Sequence, residues 1–250
     1  MNYIIKCGKN FMAISNSIEA DCHRHWLLQI FLGNQKELNI EVNGQHILCN
    51  AILVNIDTEH TFKTEEEAHF TMLIDPITEL GRALRGLIMG QPFYIFSHEK
   101  IAVMQQAFKN ALAQKNHDSF NSLAKSVSFQ CDYNNLKKFD NRIVEVLNLL
   151  DECIHEDESH QIKYFSKKTG LSESRLAHLF KDETGIPLKS YIVLHKLQVA
   201  YESIFDGKNI TTAALDAGLG SSSHLAYTNK LMTGMSATNI IKDSEFLKVF

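Results

Sequence analysis

The strongest constraint on this chain is a repeat within its last third. Gly170-Leu171-Ser172 is followed by Leu176, Leu179 and Phe180, and then by Thr184-Gly185. Further on, Gly218-Leu219 and Ser221 are followed by Leu225 and then by Thr233-Gly234. With one extra residue, Gly220, in the second turn, Leu176 pairs with Leu225, Ala177 with Ala226, Phe180 with Asn229 and Gly185 with Gly234. Each copy has an apolar stretch upstream, Ile162 and Phe165 in the first, Ile210, Ala213 and Ala214 in the second. Helix, tight turn containing Gly, and helix is the helix-turn-helix plan. Ser172 and Ser221 stand where a side-chain oxygen caps the second helix of each copy.

The segment from Pro187 to Phe205 joins the copies. Pro187 suits a first helical turn, and Leu194, Leu197, Tyr201 and Ile204 make one apolar seam. A single stiff helix there predicts two recognition helices held at fixed separation. Such a pair can enter successive major grooves on one face of a duplex, about 34 Å apart.

The front of the chain has a different period. From about residue 3 to residue 75, short apolar runs alternate with turn signals: Leu27 to Leu32, Leu38 to Val42, His46 to Leu48, Ala51 to Ile56 and His69 to Ile74. The Asn43-Gly44 dipeptide predicts a hairpin, because both residues tolerate positive φ. This spacing predicts an antiparallel sandwich or barrel. Near residue 98 the period becomes helical. Ile101, Met104, Phe108, Ala111 and Leu112 form one stripe, and Phe120, Leu123, Ala124 and Val127 form another. The fold class is therefore α+β. The expected organisation is a strand-rich domain over 1–97, an amphipathic helical segment over 98–130, a polar linker over 131–140 and a helical domain over 141–250.

The chain has 250 residues, a net charge of −4 and no run apolar enough for a signal peptide or membrane span, so a cytoplasmic protein is expected. Its five cysteines are widely spaced with no C-x-x-C, which excludes a disulfide framework or zinc finger. The overall charge does not favour nucleic acid, but residues 159–235 carry nine Lys and Arg against six Asp and Glu. Acid is concentrated just upstream, at Asp151-Glu152 and Glu156-Asp157-Glu158. Few cations predict weak binding by one copy and a shallow salt dependence, which a homodimer would offset.

Residues 160–242 resemble the DNA-binding domain of the AraC/XylS family of transcription regulators. The stretches that carry the resemblance are Leu176-Ala177-His178-Leu179-Phe180-Lys181, Thr184-Gly185-Ile186-Pro187, Tyr191 with Lys196-Leu197-Gln198-Val199-Ala200, and Ala213-Ala214-Leu215-Asp216-Ala217-Gly218-Leu219. The front half more loosely resembles the cupin-like sensor domain of many members. The resemblance implies a promoter-binding activator that contacts RNA polymerase, forms a homodimer and answers to a small-molecule effector. The chain departs from the pattern at Leu219, Asn229 and Ala237, where the family usually has Phe, Phe and Pro. A polar Asn229 at a core position predicts a looser second unit, because an unpaired buried amide costs about 1–3 kcal/mol. A regulator with a degenerate second unit, acting mainly through protein contacts, is thus an alternative reading.

Four outward positions of the first recognition helix, Ser174, Arg175, His178 and Lys181, are candidate DNA contacts, as are Ser222, Ser223 and Tyr227 in the second. The resemblance adds Ala177, which would meet a thymine methyl. His23, His25, Gln29 and His60 are expected to line a polar ligand pocket. Gln29 stands where metal-binding cupins carry a carboxylate, which argues against a metal and against the further alternative of a metal-dependent cupin enzyme. No nucleophile-base motif appears, so no catalytic residue and no cofactor is expected. Ile101, Met104, Phe108 and Leu112 are the expected dimer interface.

Overall fold

The structure is a computed structural model and describes residues 2–16, 19–64, 67–152, 161–242 and 244–249. Cys153 and the acidic Glu156-Asp157-Glu158 lie outside the described residues. Met1–Leu136 together with Asn229–Phe250 make one unit, and Lys137–Thr228 make the other. The last 22 residues, read from the sequence as the end of the helical domain, thus cluster with the sheets.

The first unit holds strands β1 (Asn2–Cys7), β2 (Asn10–Ser15), β3 (Glu19–His23), β4 (Leu28–Leu32), β5 (Leu38–Val42), β6 (Gln45–Cys49), β7 (Ala51–Val54), β8 (His60–Lys63) and β9 (His69–Ile74). Helix α1 (Glu79–Ile88), strand β10 (Phe93–Ile95) and helices α2 (His98–Gln114) and α3 (His117–Ser128) follow, and β11 (Ser244–Val249) comes from the far end of the chain. One sheet runs β10-β7-β4-β9-β2-β1-β11 and the other β3-β8-β5-β6. The β5–β6 hairpin turns at Asn43 and Gly44, with φ of 48° and 76°, so the dipeptide does what its left-handed preference predicts.

Strand β4 explains the architecture. All five of its residues are buried, because both faces of its sheet are covered. Phe31, with Ile52 and Val54 of β7, packs against Ile40, Val42, Ile47 and Phe62 of the second sheet. Leu28, Ile30 and Leu32 face the opposite way and share a core with Met104, Phe108 and Ala111 of α2 and with Phe120, Leu123 and Val127 of α3. That placement corrects the dimer expectation. Met104 and Phe108 are fully buried inside their own unit, and Ile101 and Leu112 pack at the margin of the same core. A helix stripe meets whichever apolar surface is nearest, and here the chain supplies one itself.

Strand β11 pairs parallel with β1, from Asn2↔Ser244 to Cys7↔Val249. It covers what would otherwise be an open edge of the sheet. Cys7, Cys22, Cys49 and Cys131 are free thiols, as their spacing implies.

The second unit contains α4 (Asn141–Glu152), α5 (Ile162–Thr169), α6 (Glu173–Thr184), α7 (Leu188–Phe205), α8 (Ile210–Asp216) and the start of α9 (Ser222–Thr233); α10 (Ala237–Lys242) follows in the tail. Phe165, Leu176, Phe180 and Tyr191 are fully buried, with the Phe180 and Tyr191 rings 5.5 Å apart. Helix α7 is unbroken over 18 residues, about 27 Å at 1.5 Å per residue. It is buried on most sides, from Leu188 and Tyr191 to Ser203 and Ile204. No helix among the described residues is long and apolar enough to cross a membrane.

Candidate functional site

The two repeat copies match bond for bond. In the turns, the Leu171 N–H donates to the Ser166 carbonyl at 3.1 Å and the Leu219 N–H to the Ala214 carbonyl at 2.9 Å. The Ser172 hydroxyl accepts from the Arg175 N–H at 3.3 Å, and the Ser221 hydroxyl accepts from the His224 N–H at 3.1 Å. Both caps stand where the sequence places them. At the far ends, Gly185 and Gly234 take φ of 80° and 68°, the left-handed closure that favours glycine. The Thr184 hydroxyl donates to the Phe180 carbonyl at 2.6 Å and accepts from the Ile186 N–H at 3.2 Å. Its counterpart Thr233 donates to the Asn229 carbonyl at 2.9 Å and accepts from the Met235 N–H at 3.2 Å.

Asn229 is fully buried, as its pairing with Phe180 predicts, but its amide is not stranded. The Nδ2 group donates to the Met235 carbonyl at 2.9 Å and to the Thr233 hydroxyl at 3.3 Å. The expected penalty therefore does not arise, and the second copy closes as the first does. Asn229→Ala should destabilise the protein by about 1–3 kcal/mol, because it removes these bonds and leaves a void. Urea denaturation measures this, and an unchanged midpoint would contradict it.

In α6, Leu176 and Phe180 point inward, while Ser174, Arg175, His178 and Lys181 are exposed and Ala177 is half-buried. In α9, Leu225 is buried, Ser223 and Tyr227 are exposed and Ser222 is half-buried. Tyr227 is 67% exposed, unusual for a large aromatic side chain in a folded unit. His224, the counterpart of Arg175, instead turns back on its own turn, its Nδ1 2.7 Å from the Leu219 carbonyl. Two of the nine cations are engaged locally: Lys196 donates to the Gly218 carbonyl at 2.8 Å, and Lys208 pairs with Asp216 at 2.7 Å. A third, Lys230, pairs with Asp21 at 3.3 Å. Counting charges along the sequence does not reveal these engagements, because it takes no account of which groups the fold brings together.

A helix-turn-helix domain family matches residues 165–243, spanning both copies and the helix between them. Residues 165–243 are an AraC-type helix-turn-helix domain. The chain is 24% identical over 231 residues to the probable transcriptional regulator LumQ of Photobacterium leiognathi, covering 86% of this chain and 90% of that one. Its fold is similar to that of ToxT from Vibrio cholerae, with a TM-score of 0.60 and 12% identity over 94% of this chain and 98% of that one. An apo ToxT variant gives a TM-score of 0.64 at 10% identity, covering 95% of this chain and 98% of that one. ToxT has also been solved with an unsaturated fatty acid bound, with a TM-score of 0.58 at 11% identity over 93% of this chain and 94% of that one. The AraC-type domain thus sits behind a strand-rich front part, as the resemblance implies.

In the first unit the four expected pocket residues close on one another. His23 ends β3, His60 opens β8, and the two pair across the sheet. The His23 and His60 ring centroids are 4.4 Å apart, and those of His25 and His60 are 5.1 Å apart. The Gln29 carbonyl oxygen lies 2.9 Å from His25 Nε2 and 2.9 Å from His60 Nε2. The Gln29 amide is oriented from behind: its Nε2 donates to the Thr71 hydroxyl at 3.0 Å, and that hydroxyl donates to the Ile30 carbonyl at 3.0 Å. Thr71 is the member of this group that the sequence did not reveal, since it stands 42 residues from Gln29.

Burial holds these rings neutral. Desolvation, with the neighbouring His rings adding, lowers His25 to about 4 and His60 to about 3, and desolvation lowers His69 to about 4. The unfolded chain takes up protons below about 6.5 that the folded chain refuses. These groups therefore leave stability unchanged above that pH and subtract from it as the pH falls from about 6.5 toward 4. The urea midpoint should be lower at pH 5 than at pH 7.5, and a midpoint that rises on acidification contradicts this.

Proposed function

We propose that this chain is a sequence-specific DNA-binding transcriptional regulator that reads two successive major grooves with α6 and α9, and not an enzyme. The observation that carries the reading is the matched pair of helix-turn-helix copies on an unbroken α7, each presenting a polar outer face. Ser174, Arg175 and His178, with Ser223 and Tyr227, are the base-edge candidates; Ala177 would meet a thymine methyl, and Lys181 and Ser222 would hold the backbone. The paired Asn229 amide favours a working second copy over a degenerate one.

The finer parts of the reading are activation through RNA polymerase, action in the cytoplasm, a homodimer and a small effector in the front unit. A homodimer would need a surface other than the α2 stripe. ToxT, solved with an unsaturated fatty acid, supports the effector part by likeness of fold. The testing experiment is selection of bound DNA from a random library by the full chain. A bipartite motif with centres about one helical turn apart is expected. A motif one groove long, or none at all, would overturn the two-groove reading.

A further inference from the structure

We propose that His224 is a specificity-determining residue of the second copy, whose Nε2 lone pair selects a base offering a hydrogen-bond donor in the major groove, cytosine first and adenine second. The proposal rests on the regulator reading and deepens it, naming the base polarity that α9 reads.

The tautomer of this ring is set from inside the copy. His224 Nδ1 lies 2.7 Å from the Leu219 carbonyl. A carbonyl oxygen only accepts, so Nδ1 carries the N–H. In a neutral imidazole the other nitrogen, Nε2, is then a bare acceptor. The residue is exposed, and no partner among the described residues takes up that lone pair.

The contact has no counterpart in the first copy. Gly220, the residue that the first copy lacks, takes a φ of 73° between Leu219 and the Ser221 cap. Glycine suits that left-handed turn. The Ser221 hydroxyl accepts from the His224 N–H at 3.1 Å, so both the backbone and the ring of His224 are pinned to the turn. A ring held in this way loses little freedom on meeting DNA.

His224 and Arg175 are each the third residue of their helix. They stand in the N-terminal turn that faces base edges in helix-turn-helix complexes. Arg175 presents donors only, and its guanidinium has no partner among the described residues. Guanine, with acceptors at O6 and N7, is its match. The acceptor of His224 is repelled by those same atoms and by O4 of thymine. Cytosine N4 and adenine N6 donate; adenine also carries the N7 acceptor beside its amino group, and cytosine does not. Two copies that match in backbone thus read opposite hydrogen-bond polarity at one helical position. The DNA site cannot be a plain direct repeat there, and its asymmetry sets which copy lies on which half.

The test repeats the random-library selection with the full chain at about pH 8.5, where imidazole is neutral. Wild type should prefer cytosine, then adenine, at one position of one half-site, by about tenfold over guanine. His224→Asn keeps an N–H where Nδ1 stands and removes Nε2. It should flatten that position alone, with Tm unchanged, whereas His224→Arg should turn the position to guanine. A role confined to bracing the turn would leave His224→Asn reading as wild type does. Nitrogen-15 shifts of the His224 ring in the free wild-type chain, at the same pH, should place the proton on Nδ1, and they decide the matter should a variant fail to fold. A bipartite motif unmoved by either variant, a wild-type preference for guanine or thymine at the position that His224→Arg changes, or a proton on Nε2 would each overturn the inference and leave the two-groove reading standing. A motif one groove long, or none, would overturn both.

Discussion

Replacing Arg175 and His178 together by alanine should abolish sequence preference and lower affinity for the selected DNA about 100-fold or more. Each good base-edge contact contributes about 1–3 kcal/mol of discrimination, and the two side chains lie one turn apart on the exposed face of α6. Neither is needed for folding, since the inward face is made by Leu176 and Phe180. Lys181→Ala should act differently, weakening all sequences alike and reducing the salt slope by about one. Mobility shifts against specific and scrambled duplexes at two salt concentrations separate the cases. A double variant that keeps its preference would move recognition away from α6.

Phe108→Ala should destabilise the first unit by about 3–5 kcal/mol, the cost of removing a fully buried aromatic ring. Phe108 is fully buried in the core formed by α2, α3 and the seven-stranded sheet, with its ring 6.1 Å from that of Phe70. The expected result is a large drop in the urea midpoint of this unit. Had the α2 stripe been an interface between copies, the same change would instead dissociate the protein while the fold stayed intact. Sedimentation beside denaturation tells these apart, and a dissociated, fully stable variant would contradict the burial.

The helical part was the more legible one because its signals are local. Ser172 and Ser221 cap the helices that begin just after them, and Gly185 and Gly234 close the helices that end just before them. These choices depend on φ/ψ preference and on hydrogen bonds between residues a few positions apart. Asn229 shows the limit of pairing the copies by residue type. A polar side chain at a core position looked costly, yet Met235 and Thr233 take up its amide protons. The Asn43-Gly44 hairpin was legible for the same local reason.

The sheet unit was harder to read. The unbroken apolar run of β4 does not announce that one face meets a second sheet and the other meets α2 and α3. Helix α1 and strand β10 lie between the two regions whose periods were clear and were not anticipated. Strand β11 has no pattern that would assign it to β1, some 240 residues away. His23, His25, Gln29 and His60 are grouped by the sequence as pocket residues, but the contact of the His25 and His60 rings with the Gln29 carbonyl oxygen and the support from Thr71 depend on strands that meet only in the folded sheets.

The residues alone determined the repeat, its caps and turns, the bracing helix and the outward side chains of the recognition helices, because each follows from neighbours within a turn or two. Only the tertiary structure decided which surface covers the α2 stripe, where the last strand docks, and that two imidazoles converge on one amide oxygen. Burial is bought by whichever distant segment fits, and a stripe of apolar residues does not name its partner.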